Sequence, residues 1–547
     1  MRKAKIIAFE DAARLVADNA VVSISSSSGL NTPDRMLAAL GARFANEGHP
    51  CNLTTLHPIG SGDMYGIKGV DHLARPGMLR RIIAGSFPSG PSHFESPLIW
   101  RMINDDQLAA YNVPSGILFD MHRDVAARRA GVLTKIGLHT FVDPDLQGCA
   151  MNPSAARVAI VSKVEFNGET WLHFPNIAPD VAIIRATTAD EDGNLSMEHE
   201  GAVLGVLDLA LAARNCGGIV IAQVKRTTAA GSIPAQRVYV PSTLVDYIVV
   251  DPEQMQATQT PYDPRISGEL RQPPDTFDAV PFNAEKVIAR RAAAELRSGD
   301  VANLGFGISA VVPGILVEEG LGGAVTWVIE QGAVGGVPLT GFPFGCAVNA
   351  EAFMSSSYQF IYFQGAGFDT SMLSFMEVDR DSNVNVSRLP SKPHVTAGCG
   401  GFVDITAHAR KLVFSGYFRA GGLELEVGDG KLRIVREGKF PKFVPQVGHV
   451  TFSGRRAREQ RQQVTYVTER CVIELRDDGL TVSEIAPGVD LQRDVLEGAA
   501  FPLAVAADLR MMDARLFTDA PMGLALPVRP DRTQAVVDKH HRDVAAR

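Results

Sequence analysis

The chain has no apolar run near the roughly 20 residues that cross a bilayer, and its 547 residues hold only six cysteines, at 51, 149, 216, 346, 399 and 471. These include no CxxC pair and no dense framework, which excludes a disulfide scaffold and leads us to expect reduced thiols in a cytoplasmic protein. A basic excess is missing too. Lys and Arg number 53 against 61 Asp and Glu, a net charge of −8, so the chain carries no electrostatic footprint for nucleic acid. The basic start Met1-Arg-Lys-Ala-Lys reaches Glu10 before any signal-length apolar core. Thirteen histidines, among them His122, His139, His199, His394 and the tail pair His540-His541, form no HExxH or comparable spacing, so no metal site is expected. Two acidic stretches, Asp190-Glu-Asp-Gly-Asn194 and Asp379-Arg-Asp-Ser-Asn383, lack the closing Glu of a calcium loop and read as Asx-rich turns before short strands.

What is present is length enough for more than one core. Between Asp251 and Phe282 prolines stand at 252, 261, 264, 273, 274 and 281, a composition that predicts an extended connector. It divides an N-terminal domain (1–250) from a C-terminal one (283–525), followed by a polar tail (526–547). Asn283 offers an N-cap for a helix through Val287, Ile288, Ala292 and Leu296. Residues 8–33 can be laid over 288–313 at a constant offset of 280. The strand Ala20–Ile24 with its loop Ser25-Ser-Ser-Ser-Gly29 then falls on Val301–Leu304 with the loop Gly305-Phe-Gly307. After a length change Leu53–Leu56 falls opposite Val325–Ile329, and His57 near Glu330. Alternating helix, strand and small-residue loop predict two open α/β domains, related as a diverged internal repeat, with a cleft at strand carboxyl ends.

Three features carry chemistry. In Val325-Thr-Trp-Val-Ile-Glu330-Gln-Gly332-Ala-Val-Gly335-Gly336 a β-favouring run stops at one carboxylate among glycines. At a sheet rim that group is a base, a metal ligand or a nucleophile. Gly305-Phe-Gly307 lacks the third glycine of a dinucleotide fingerprint, Ala310 standing there, and reads as a tight turn able to receive an anionic ligand. Gly398-Cys-Gly-Gly401, read as preceding a strand Phe402–Ile405, gives backbone N–H groups freedom to converge as an oxyanion hole. Cys399 has no His or Asp at an interpretable spacing and reads as loop filler.

Longer stretches carry a family resemblance. They include Gly131–Pro144, Ile177–Ser196, Glu330–Gly336, Asn383-Val-Asn-Val-Ser387, Gly398–Gly401, Ala420–Leu423, Tyr466–Arg470 and Glu484–Leu491. In these the chain resembles, over nearly its full length, the family I CoA-transferases, specifically the fused acetate/propionate (short-chain acyl-CoA:carboxylate) type. The resemblance implies that Glu330 is a nucleophile forming a covalent glutamyl-CoA thioester in ping-pong catalysis, with Gly400 and Gly401 as oxyanion donors. It implies CoA as substrate and covalent intermediate with no permanently bound cofactor, small carboxylates as partners, and a homo-oligomer (dimer or tetramer). Candidate substrate contacts are Asn112 and Ser115 in Tyr111–Gly116, Ser61 in Gly60-Ser-Gly62, Gly305, Gly307 and Asn385. Ser115 and Ser61 stand where relatives often carry Gln, and Phe119–Arg123 also departs from their pattern, which leaves acyl preference open. An acyl-CoA hydrolase passing the same glutamyl thioester to water, and a non-catalytic binding protein on the same fold, are the alternatives.

Overall fold

The computed structural model describes residues 3–63, 65–90, 93 and 95–530. A first sheet takes β1 (Lys5–Ile6), β2 (Val21–Ile24), β3 (Leu53–His57), β4 (Leu79–Ala84), β5 (Ala109–Asn112), β6 (Val181–Asp190), β7 (Leu195–Ser196), β8 (Ile219–Thr228) and β9 (Tyr247–Val250). Its order is β1-β9-β8-β6-β2-β3-β4-β5, every pair along that path being parallel, with β7 folded back antiparallel on β6. A parallel sheet must be covered on both faces, and accordingly every residue of β6 is buried.

A second sheet takes β10 (Val301–Leu304), β11 (Thr326–Val328), β12 (Ala333–Val334), β13 (Ala352–Phe353), β14 (Thr370–Ser374), β15 (Lys411–Ser415), β16 (Gln463–Val467), β17 (Cys471–Arg476), β18 (Gly479–Ile485) and β19 (Ala504–Met511). Its order is β13-β12-β11-β10-β14-β15-β16-β17-β18-β19. The parallel run β16-β15-β14-β10-β11 has the same succession as β9-β8-β6-β2-β3, and β2 and β10 are the strands separated by 280 residues. The two acidic loops occupy like places. The Asp190 carboxylate accepts from the Asn194 amide at 2.9 Å, and that of Asp379 from the Asn383 amide at 2.9 Å, each closing a turn into a short antiparallel strand.

The Asn283 side chain caps the helix Ala284–Ala293 by accepting from the Lys286 amide at 3.0 Å. The Pro-rich stretch is not extended as its composition suggested. Gln254 donates to the Ala186 carbonyl at 2.9 Å and Gln256 to that of His199 at 2.8 Å, so buried amides tie its first part onto β6 and its neighbours. The polar tail begins with contact too, since Arg529 pairs with Asp369 at 2.6 Å, while 531–547, including His540-His541, lies outside the described residues.

Two apolar cores join the halves. One holds Ile59, Phe119 and Leu204 together with Phe360, Phe402 and Phe414, and another packs Cys399, Val403 and Ala407 among Tyr111, Ile117 and Leu118. Shared cores of this kind fix the relation between two sheets because close-packed interiors resist deformation. Among the described residues no helix is long and apolar enough to cross a membrane.

Candidate active site

The carboxyl ends of both sheets face one another, as the strand termini show. The serine loop after β2 meets the turn after β11 where the Gln331 amide donates to Ser27 Oγ at 3.1 Å. The loops after β4 and β5 meet the glycine loop through three bonds. The Gly400 amide donates to the Gly85 carbonyl at 2.8 Å, the Ser115 amide to the Gly400 carbonyl at 3.0 Å, and the Phe87 amide to the Ala397 carbonyl. A cleft of this kind is the usual ligand position in open α/β sheets.

Glu330 stands two residues beyond β11, its carboxylate part-buried between the halves. Oε2 accepts from the Gly401 N–H at 3.2 Å and Oε1 from the Gln331 amide at 3.1 Å. Burial pushes its carboxyl up to about 7, against the pull of those two donors. Both donors are neutral amides, and among the described residues no cation pairs with the group. His57, at the corresponding strand end of the first sheet, is wholly buried, bonded through Nδ1 to the Ile59 carbonyl, and lowered by burial to about 4. It is a neutral ring beneath the site, without a proton to exchange near neutrality.

The glycine loop differs from its sequence reading in two ways. Phe402–His408 is a helix and not a strand, with Gly401 at its N-cap. The residues after the glycines, Phe402, Val403, Ile405 and Thr406, follow helical spacing, and a short apolar run does not separate the two periods. The second difference concerns the donors. The Gly400 N–H is committed to Gly85, so of the two glycines only Gly401 directs its amide at Glu330. Close approach is what demands glycine there, since a Cβ on Gly401 would lie 2.5 Å from Glu330 Oε2.

Two of the candidate contacts, Asn112 and Asn385, bond to the protein itself. Asn112 donates to the Ala84 and Gly85 carbonyls, at 3.0 and 2.6 Å, and accepts from the Cys399 amide at 2.9 Å. Its three bonds clamp the glycine loop to the first domain. Asn385 donates to Glu377 and the Arg388 carbonyl and accepts from the Ser387 and Arg388 amides. Ser115 and Ser61 are wholly buried, each with a hydroxyl that has no partner among the described residues. Gly305 bonds through its amide to the Met372 carbonyl at 2.8 Å, and Gly307 (φ 97°) turns the chain into the one-turn helix Ile308–Val311, placing both on the rim beside exposed Phe306. Cys399 is buried, its thiol pushed well up by burial, as filler should be.

Sequence reasoning missed two residues. Gln331 is the second donor to the carboxylate, and its adjacency to Glu330 was the available signal. Asp404 is wholly buried, accepts from the Gly116 N–H at 3.0 Å and the Gln364 amide at 3.1 Å, and is raised to about 7 by burial. It ties the helix behind Gly401 to the start of the helix Ser115–Ala126, and reading 402–405 as a strand concealed that position.

Comparison with known proteins agrees with this arrangement. The family model described as coenzyme A transferase matches residues 6–251. The caffeate CoA-transferase of Acetobacterium woodii is 38% identical over 526 residues, 95% of this chain and 99% of that protein. The acetate CoA-transferase YdiF of Escherichia coli K12 is 37% identical over 524 residues, 95% of this chain and 97% of its own. Among solved structures, the acyl-CoA transferase YdiF from E. coli O157:H7, in a thioester complex with CoA, superposes with a TM-score of 0.88 at 36% identity, covering 96% of this chain and 98% of that one. With both sheets, their cleft and nearly the whole length shared, the chain belongs to the coenzyme A transferase family.

Proposed function

We propose that this enzyme moves CoA from a short-chain acyl-CoA to a carboxylate such as acetate or propionate, through a glutamyl-CoA thioester on Glu330. The observation that carries the reading is the setting of Glu330, a carboxylate held by two amide donors, the Gln331 side chain at 3.1 Å and the Gly401 N–H at 3.2 Å. In the first step a Glu330 oxygen attacks the acyl carbonyl carbon, the C–S bond breaks, and CoA leaves as the thiolate with a mixed anhydride left behind. The thiolate then attacks Glu330 Cδ, the anhydride C–O bond breaks, and the acyl group leaves as its carboxylate. An acceptor carboxylate runs the two steps backwards. No proton is transferred in any of them, so a base such as His57 has no part to play.

Charge that develops on the Glu330 carbonyl oxygen while Cδ is tetrahedral falls where the Gly401 N–H already points. Such preorganised donors stabilise the transition state without reorganisation. The thioester complex of the E. coli relative supports a covalent CoA intermediate in this reading. The acyl group is a finer matter, because the relatives named above act on caffeate and on acetate. Glu330 Oε2 and the ring of buried Phe360 both close on Gly401, each 2.5 Å from where a Cβ would stand, and this crowding favours small acyl groups.

The test is acceptor dependence. With propionyl-CoA as donor, adding acetate is expected to yield acetyl-CoA and to raise the rate at which propionate is released many-fold. Free CoA appearing equally fast with and without acetate, and no acetyl-CoA, would establish the hydrolase instead.

A further inference from the structure

A cavity of about 490 Å³ lies at the opposite edge of the second sheet, lined at the amino ends of β14, β15 and β16 by Thr370, Lys411 and Gln463. Glu330 stands beyond the carboxyl end of β11, and the five residues of β14 set these two edges about 15 Å apart. The cavity is therefore separate from the catalytic cleft.

Its charges do not cancel. Three carboxylates and five Lys or Arg line it. Lys411 pairs with Glu295 at 2.6 Å and Arg529 with Asp369 at 2.6 Å. Asp300 is buried and bonds to the Arg297 backbone amide at 2.9 Å. The guanidinium groups of Arg297, Arg410 and Arg461 are left without an ion pair among the described residues. Three guanidinium groups without an ion pair line this one hollow, and guanidinium pairs with phosphate through two parallel N–H bonds. The volume lies within the range of small-molecule sites and exceeds what a phosphate chain fills, which leaves room for a base and sugar.

We propose that this cavity binds a nucleoside di- or triphosphate, its phosphates on Arg297, Arg410 and Arg461. The proposal is independent of the chemistry assigned to Glu330. The test is calorimetry on the full chain with ATP, inorganic triphosphate and adenosine as separate probes, repeated with saturating CoA. ATP is expected to bind once per chain, more weakly as salt rises, with CoA present or absent, and adenosine alone is expected not to bind. In Arg410→Gln/Arg461→Gln the affinity for ATP falls about tenfold or more, while the CoA-transfer rate measured without ATP stays at the wild-type value, which shows that the variant is folded. Triphosphate binding without ATP binding would overturn the nucleoside assignment. No saturable binding, binding undiminished in the double variant, or displacement of ATP by CoA would overturn the site itself.

Discussion

Glu330→Gln is expected to reduce CoA transfer by about 10⁴-fold or more, with no loss of thermal stability at neutral pH. The amide is nearly the same size and can still accept from the Gly401 N–H, but its oxygen is a poor nucleophile and its nitrogen a poor leaving group. Stability follows from linkage. Burial raises the Glu330 carboxyl from 4.5 to about 7 in the folded protein. Between those values the unfolded chain has released a proton that the folded chain still holds, so this group makes the folded state less stable as pH rises through that window. The glutamine variant is free of that penalty. Its melting temperature at pH 8 should equal or exceed the wild type's, and the difference should close as pH falls towards 4.5. The same proton controls chemistry, because only the anion attacks. The rate of the first half-reaction should rise with pH and level off above about 7. A rate that falls through that range would assign the group a protonated role and contradict the mechanism.

Gly401→Ala is expected to lower kcat by about 10²–10³-fold, the scale of losing one oxyanion donor. The backbone gives no reason for harm, since Gly401 has φ −86° and ψ 0°, a conformation open to alanine. The harm comes from the added methyl, which would stand 2.5 Å from Glu330 Oε2 and 2.5 Å from the Phe360 ring. One of them must move, and either motion turns the carboxylate away from the amide. Gly400→Ala separates the two causes. There a Cβ would lie 3.9 Å from both carboxylate oxygens, an ordinary contact, while φ is 51°, a region that penalises alanine. That variant should lose stability more than rate. If Gly400→Ala proves the slower enzyme, the assignment of the donor to Gly401 fails.

Much of the fold was legible because its signals are local. The strand Val301–Leu304, the cap at Asn283 and the two Asx turns each depend on a few neighbouring residues, and each formed where residue type placed it. The position of Glu330 just beyond a strand end was legible for the same reason. What escaped depends on partners far away in the chain. Asn112 and Gly85 meet the glycine loop about three hundred residues later, and nothing in Tyr111–Gly116 announces that its asparagine bonds to backbone groups. The Gly400 amide was lost to a carbonyl of the other half, which only the packed cleft reveals. The Pro-rich stretch shows the same limit. Its composition rules out regular structure but not packing, and Gln254 and Gln256 anchor it through side chains. The helix at Phe402 was misread for a different reason, a run too short for its periodicity to decide.

The central claim is that CoA becomes covalently bound to Glu330. It is tested most directly by mass spectrometry of the protein mixed with acyl-CoA in the absence of an acceptor, trapped with borohydride and digested. The account predicts reduction of the thioester on the peptide that contains Glu330, dependent on acyl-CoA, prevented by prior treatment with hydroxylamine, and missing in Glu330→Gln. An unmodified Glu330 peptide from enzyme that is turning over, or an acyl-CoA-dependent change on another peptide, would contradict it.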